Sequence, residues 1–412
     1  MTTTRIRRLQ RDLFTNHCIL CPEPARLSLR AYERIYTGFF FYAEHRSSSQ
    51  TIFDMDSNQT ASLASGSQQF PPDAPSVARF HLQAAGHDGA IDTSLDHRNV
   101  YKPTTQEEIQ FYENINDSDF LIEHPGLVKI KPFIPAYKGC VDRSSYTRSD
   151  DSMQTEGEEE VPVYGEGGEV VGYKENTAKK HTHSIVLSNL LYGLQNPTVA
   201  DFKLGKRWWG SESGQAKRFR HDKSCAATTS SATGILFAGA HTWVPGQETC
   251  VPTTKSYGYS LREDTLSDSM ACVFPSVTDL HLPSEKPYLA SETDPSSWLQ
   301  RKKSSDYMAD MSNRALKSLE SVTDIRTATK ESGWSYPGSS LLIAHGVSKF
   351  TGKTEVKCAL IDFAHAHKHN DELPPDGVDD GLETLSKLLE DRANYLESYR
   401  RTTARRHDTA EL

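Results

Sequence analysis

An α+β fold in two lobes is what this chain predicts: a small strand-rich N-terminal half carrying one helix, then a larger mixed half. Three observations lead there. Short strand patterns cluster early, amphipathic helices come late, and Ser/Pro-rich or acidic segments separate the two. The length of 412 residues and mass of 46.1 kDa suit one large domain, or two lobes with flexible segments. At 36% hydrophobic residues and a mean hydropathy of −0.60, the chain is too polar to be packed throughout. Collagen-like and coiled-coil classes are excluded, and no window approaches a membrane-spanning run. A formal net charge of −9 argues against bulk nucleic-acid binding, so a local basic patch stands out.

Residues 44–77, rich in Ser, Gln, Asp and Pro, read as a flexible arm. A strand is expected at 78–85, a turn at 86–89, and a second strand at 99–102, stopped by Pro103. Residues 104–115 carry helix-start signals: Thr104 or Thr105 as cap, with Glu107 and Glu108 in the first turn. Residues 127–137 look like another strand. From 142 to 183 the pattern breaks into an acidic, Gly-rich insertion. Strands resume at 184–191 and 200–204, followed by a basic helix within 211–225 and a strand at 234–243. A Pro/Ser-rich linker spans 281–305. Amphipathic helices are expected at 307–327 and 381–399, on either side of strands at 340–345 and 356–363. The resulting boundaries are an N-terminal arm (1–77), an N-lobe (78–186, with the insertion at about 142–183), a C-lobe (187–399) and a basic tail (400–412).

The basic start, residues 1–14, lacks the apolar core of a secretory signal. Seven scattered cysteines fit a reduced intracellular compartment. Cys18 and Cys21, with His17 beside them, form a C-x-x-C pair. A zinc site needs a second pair, and none follows.

Four local signals carry chemistry, and their order matters more than any one. First, Lys102 on a strand precedes Glu108 on a helix, the arrangement by which kinases present a fixed cation to ATP phosphates. An ordinary surface ion pair is the competing reading. Second, in PTVADFKLG (197–205), strand periodicity places Asp201, Lys203 and Val199 on one face, with Phe202 and Leu204 on the other. An acid beside a lysine suits a site handling sugar hydroxyls and phosphate; a half-buried salt bridge is the alternative. Third, residues 203–223 hold seven Lys/Arg against two acids. Helical spacing puts Lys217, Arg220 and His221 on one face, with Lys223 one turn beyond Arg220. Such a face suits a multiply phosphorylated small molecule. It could also be a solvated helix face, or bind RNA with Trp208 and Trp209 stacking on bases. Fourth, Asp362 follows an apolar strand in Ile361-Asp-Phe, where kinases place a magnesium ligand, and His365 lies three residues on. A turn or helix-cap acid is the alternative for Asp362.

In this order the signals resemble the inositol polyphosphate kinase family. PTVADFKLG is similar to that family's Pro-x-x-x-Asp-x-Lys-x-Gly signature, and SSLL (339–342) and IDFAH (361–365) match its two later motifs. QAAGH (83–87), Lys102, EIQFY (108–112) and TTSSATG (228–234) agree as well. The resemblance covers roughly 78–140 and 184–398. It implies a protein-kinase-like, two-lobed ATP-binding fold, with a small antiparallel-sheet N-lobe and a larger α+β C-lobe. It implies ATP and Mg2+ as cofactors and inositol phosphates as substrates.

Carried over by position, Lys102 would contact ATP phosphates, and Ser188 and Leu190 would offer backbone groups to adenine in the inter-lobe hinge. Asp201 would bind the ribose hydroxyls or align the transfer, and Lys203 would sit between the moving phosphate and the inositol ring. Lys217, Arg220, His221 and Lys223 would hold substrate phosphates. Asp362 would ligate magnesium, and His365 would contact substrate near the reacting hydroxyl. The chain departs from the family at Ser188, where the hinge usually has Glu, and at Tyr259, where YGYSL (257–261) replaces Tyr-Gly-Arg-Ser-Leu. The connection from Asp201 to Thr228, residues 202–227, leaves room for one basic helix and no lid. It favours a multikinase acting on tris- and tetrakisphosphates, with a hexakisphosphate kinase as runner-up. A non-catalytic transcriptional or interaction cofactor is a reading from another class. A monomer in nucleus and cytoplasm is expected, with protein partners through the flexible arms and neither membrane nor direct nucleic-acid binding.

Overall fold

Two antiparallel-based sheets, one from each half of the chain, organise the protein. The computed structural model describes residues 76–85, 90–145, 147–148, 160–164, 170–175, 181–245, 250–253, 255–280 and 301–408. Nearly all of the expected N-terminal arm, the Cys18–Cys21 pair, most of the linker at 281–305 and residues 409–412 lie outside the described residues. So do much of the acidic insertion and His87 of QAAGH.

The N-terminal half runs β1 (Ser76–Arg79), β2 (Asp92–Ser94), β3 (Asn99–Thr104), α1 (Gln106–Asn114), α2 (Ser118–Glu123), the single turn α3 (Leu127–Ile130), β4 (Tyr137–Asp142), β5 (Thr147–Arg148), β6 (Glu160–Tyr164), β7 (Val170–Glu175) and β8 (His183–Ser188). Six of these strands form one sheet in the order β4-β8-β3-β2-β1-β5. All its pairs are antiparallel except β1 with β5. Among the described residues β6 and β7 pair with each other alone, so the acidic insertion holds a hairpin.

The C-terminal half continues with β9 (Leu194–Leu204), α4 (Gln215–Ala226), α5 (Ser230–Thr233), β10 (Ile235–Trp243), β11 (Cys250–Thr253), α6 (Lys255–Ser260), α7 (Asp268–Val273), α8 (Val277–Leu280), α9 (Arg301–Ser332), β12 (Trp334–Ser335), β13 (Ser340–Ser348), β14 (Thr354–Ile361), β15 (His367–Lys368) and α10 (Val378–Asp408). Its five-stranded sheet has the order β11-β10-β9-β13-β14. The helices α9 and α10 pack along each other. One apolar core joins them to β9, β13 and the N-terminal α1 through Ile109, Phe202, Leu341, Ile325 and Leu389. Among the described residues, no helix is long and apolar enough to cross a membrane.

Several elements differ from expectation. Residues 127–133 are helical, not extended: Leu127 and Ile130 are both buried at helical spacing, and a 3-10 turn continues over Lys131–Phe133. The first strand stops at Arg79 because its partner β2 ends at Asp92, opposite it. Phe80, Leu82 and Ala84 instead pack beside Leu191 and Val199. β3 runs through Pro103, which lies beyond the end of β2 and keeps only β8 as neighbour, so a missing N–H disturbs one side at most. β9 starts six residues earlier than its period-two pattern, because Asn196 takes φ +51 and shifts the register against β13. α9 starts at Arg301, inside the expected linker, and α10 extends to Asp408, through most of the expected tail.

Candidate active site

A cavity of about 720 Å³ lies between the two sheets. Its apolar end is formed by Phe80, Leu82, Val100, Leu187, Leu190 and Leu191, and its polar end by Lys102, Asp201, Lys203, Arg220, His221 and Asp362. β8 leads into the linking segment Asn189–Gly193, which enters β9, so the hinge lines the apolar end.

Lys102 sits on β3. Its Nζ donates to both carboxylate oxygens of Glu108, at 2.7 and 2.9 Å, and lies 2.5 Å from Oδ1 of Asp362. Burial alone would lower the lysine's pKa, but Asp362 and Glu108 outweigh it and hold the ammonium above its usual range. Glu108 is buried on α1, where it also accepts from the hydroxyl of Thr104 and, at 3.1 Å, from the backbone N–H of Phe363. Phe363 stacks on Phe111 of α1 with centroids 4.4 Å apart. The helix therefore grips the residue after Asp362 by polar and apolar contacts together. Asp362 itself follows β14 at φ +68, a left-handed turn that breaks the strand and leaves its carboxylate half-buried in the cavity. Lys102 and Lys203 keep that carboxyl below its usual range despite burial.

Asp201 and Lys203 share one face of β9, as expected, while Phe202 and Leu204 are wholly buried on the other. Burial, then the Asp362 charge, pushes the Asp201 carboxyl up to about 7. Its Oδ1 is buried without a hydrogen-bond partner. Lys203 donates to the Gly338 carbonyl at 3.0 Å and lies 5.2 Å from the centroid of the Trp208 ring; burial pulls its pKa down.

The basic helix is α4. Lys217 Nζ lies 2.9 Å from Nε2 of His365, and Nδ1 of His365 lies 2.5 Å from Oε1 of Glu212. Arg220 and His221 line the cavity. Burial, Lys217 and Arg220 bring His221 down to about 4, so at neutral pH it is an uncharged donor. Lys223 is exposed and does not line the cavity; Ser224 holds that edge. The face of α4 that lines the cavity is Arg220, His221 and Ser224, and Lys217, Lys223 and His365 lie outside that lining.

Leu190 lines the hinge end. The Ser188 amide donates to the Ala136 carbonyl at 2.9 Å and its hydroxyl accepts from the Ala136 amide at 2.9 Å, so that amide is spent inside the protein. Sequence reasoning missed Glu212, and also Lys255, which lines the cavity 5.7 Å from the centroid of the Tyr259 ring. Lys255 stands next to YGYSL, and that adjacency was its one signal. TTSSATG is structural: Thr229 caps back to the Ile235 carbonyl at 2.7 Å, and Gly234, at φ +75, admits the backbone of Gly381.

A profile described as inositol polyphosphate kinase matches residues 184–291 and 292–390, half of the chain. The chain belongs to the inositol polyphosphate kinase family. Among family relatives, inositol polyphosphate multikinase of Schizosaccharomyces pombe is 27% identical over 192 residues, covering 46% of this chain and 61% of that one. Inositol hexakisphosphate kinase 3 of Homo sapiens is 26% identical over 227 residues, covering 53% of each. The crystal structure of a Saccharomyces cerevisiae inositol phosphate multikinase in complex with ADP and Mn2+ overlaps at a TM-score of 0.47 and 19% identity, across 71% of this chain and 98% of that one. This family member thus spans about half to three-fifths of the length of these two curated relatives.

Proposed function

We propose that this chain is an ATP-dependent kinase that transfers the γ-phosphoryl group to hydroxyls of inositol tris- and tetrakisphosphates. The observation that carries the reading is the division of one cavity. An apolar hinge end suits a nucleotide base, and the polar end gathers Lys203, Arg220 and Lys255 for a polyphosphate. The carboxylates of Asp201 and Asp362 line the same cavity.

The chemistry follows from the charges. A phosphoryl group moves through a loose transition state, so the protein's work is positioning and neutralisation. Lys102, charged and anchored by Glu108, is placed to bind the nucleotide phosphates. Lys203 is placed between the moving phosphate and the ring. Lys217 and Arg220 hold substrate phosphates, with His221 as a neutral donor. His365 takes the proton of the acceptor hydroxyl. The donor set fits a hard divalent cation such as Mg2+, because the Asp362 carboxylate opens on the cavity and Asp201 Oδ1 is a buried oxygen without a partner. Asp362 would hold the ion with Asp201 beside it; when bound, the ion neutralises phosphate charge. Among the described residues no cluster of three or more His, Cys, Asp or Glu could hold a metal alone, consistent with a cation that shares its ligands with phosphates.

A hexakisphosphate kinase is the second reading, favoured by the similarity to the human hexakisphosphate kinase. The short connection before Thr228 and the open basic edge favour the multikinase, because a ring held by a few phosphates can be accepted in more than one orientation. The test is turnover of ATP with purified tris-, tetrakis- and hexakisphosphates. No turnover with any of them would leave the non-catalytic cofactor reading. The intracellular location, in nucleus and cytoplasm, is part of the proposal and is tested by fractionation.

A further inference from the structure

Two neighbours, neither of them an acid, hold the ammonium of Lys203. Its Nζ donates to the Gly338 carbonyl at 3.0 Å and lies over the Trp208 ring, 5.2 Å from the centroid. Lys102, by contrast, is tied to the carboxylates of Glu108 and Asp362. An ammonium carries three protons, and an aromatic face attracts its charge without the lone pairs of a carboxylate. Among the described residues, Gly338 takes the one hydrogen bond that this Nζ donates. We propose that Trp208 is a positioning residue: its indole face steers the Lys203 ammonium and leaves the remaining protons for a phosphate group. The proposal rests on the kinase reading above and deepens it, because Trp208 lies outside every motif that marks the family resemblance, beyond the end of PTVADFKLG.

The local sequence builds both sides of this cradle. β9 ends at Leu204, and Gly205, at φ +92, turns the chain where a Cβ would meet the Asp376 carbonyl oxygen at 2.6 Å. The Trp208 indole donates to the Gly205 carbonyl at 3.1 Å, which fixes the ring over the strand it has just left. Trp208 is 4% exposed and packs with Cys225 of α4 and Leu236 of β10. On the other side, Tyr336-Pro-Gly-Ser339 closes a turn, with the Ser339 amide donating to the Tyr336 carbonyl at 3.1 Å. Proline at its second place and glycine at its third, at φ +76, follow the type II pattern. A Cβ on Gly338 would lie 3.2 Å from the Trp208 carbonyl oxygen, so the two sides of the cradle touch.

A carboxylate in the place of the ring would hold the ammonium by charge, and an arriving phosphate would have to displace it. An aromatic face and a neutral carbonyl keep the side chain in place without that competition. Trp208, Lys203, Arg220 and His221 line one cavity, and Cys225 joins the ring to the helix that carries the last two. The ring therefore registers the strand lysine against the cavity-facing side of α4. Trp209, the other half of the Trp-Trp pair, lies outside that lining. Its ring carries Arg218 at 4.6 Å and Arg207 at 5.0 Å, and its indole donates to Asp222 at 2.7 Å. The pair is thus divided, with one ring at the site and one in the fold beside it.

The experiment compares Trp208→Phe, Trp208→Leu, Lys203→Met and the double variant Trp208→Leu/Lys203→Met with the wild type, using the full chain. In Trp208→Leu, which keeps apolar bulk beside Cys225 and Leu236, the Kd for inositol trisphosphate should rise about tenfold while KM for ATP stays unchanged. Trp208→Phe keeps an aromatic face and should restore most of the binding. In the Lys203→Met background, Trp208→Leu should add no further loss, because the ring acts through the lysine. Incorporation of mono-, di- and trifluorotryptophan weakens the field of the ring at nearly constant shape. It should raise Kd stepwise in the wild type and leave Lys203→Met unaffected, and it decides the matter even where Trp208→Leu fails to fold. With 13C-labelled lysine, the ε-methylene of Lys203, assigned by its absence in Lys203→Met, should lie upfield of the other lysines and return to the ordinary range in Trp208→Leu. An unshifted ε-methylene, a flat fluorination series, or a Trp208→Leu loss that is as large without Lys203 overturns the proposal. A wild type that turns over no inositol phosphate overturns the kinase reading instead, and the ε-methylene shift still decides the pairing of Trp208 with Lys203.

Discussion

Nζ of Lys102 lies 2.5 Å from Oδ1 of Asp362, so the lysine of one sheet and the carboxylate that follows the other form a single ion pair across the cavity. Glu108 binds the same ammonium and, through the Phe363 amide, the backbone beside Asp362. The two halves of the chain are thus registered at the point where phosphates are proposed to bind. The apolar contact at this junction belongs to Phe363, and Lys102 keeps Glu108 as a partner when Asp362 is neutral.

Asp362→Asn is therefore expected to abolish phosphoryl transfer, by at least about a hundredfold, while the protein stays folded. Asn tolerates the left-handed φ of +68 as Asp does. Single-turnover transfer and thermal unfolding check the two halves of the statement. Wild-type turnover at millimolar magnesium would remove the metal assignment.

Asp201 gives a pH signature. Its carboxyl is raised to about 7 in the folded chain, against an ordinary value of 3.8 when unfolded. Between those values the folded state binds the extra proton, so this group's contribution is present in full below about pH 4 and is lost as pH rises through about 7. Asp201→Asn removes that loss. Its stability advantage over the wild type should grow from pH 4 to 7 and reach a few kcal/mol, because each pH unit between the two values contributes about 1.4 kcal/mol. Denaturant midpoints at several pH values measure it, and a flat difference would contradict the burial of this carboxyl.

Lys217→Ala and Arg220→Ala should raise KM for the inositol phosphate far more than KM for ATP. Each lost charged hydrogen bond costs about 1.5–3 kcal/mol, roughly tenfold to a hundredfold. Lys223→Ala, on the exposed side of the helix, should change neither constant. Steady-state kinetics with each substrate varied in turn separates these outcomes.

Replacing residues 149–180 with a short flexible linker should leave activity largely unchanged. Among the described residues the hairpin in that segment pairs with itself alone, whereas β5, at Thr147–Arg148, pairs with β1 and is kept. Loss of folding would show that the insertion supports the N-terminal sheet.

How much of this was legible in the sequence follows from how local each signal is. Alternation along β9 separated Asp201 and Lys203 from Phe202 and Leu204, because strand periodicity is fixed by the backbone. Lys102 with Glu108 was legible as a pair, although its junction with Asp362 joins residues 260 apart in sequence. Short-range conflicts hid other elements. Asn196 bulges β9, and the helical spacing of Leu127 and Ile130 was concealed by neighbouring apolar residues. Lys223 was misplaced because a helical stripe says which residues share a face, not where the cavity ends. The nearness of Glu212 to His365 was invisible, since it joins a loop folded back over Gly210 to a histidine far along the chain.

The most direct test of the central claim is product analysis after supplying ATP with inositol trisphosphate, tetrakisphosphate and hexakisphosphate in separate reactions. Phosphorylation of the trisphosphate beyond a single addition, together with use of the tetrakisphosphate, is the result expected of an open site with a short connection before Thr228. Consumption of hexakisphosphate alone, giving a pyrophosphate, would contradict the multikinase reading, and a trisphosphate that stops cleanly after one addition would contradict the open-site argument.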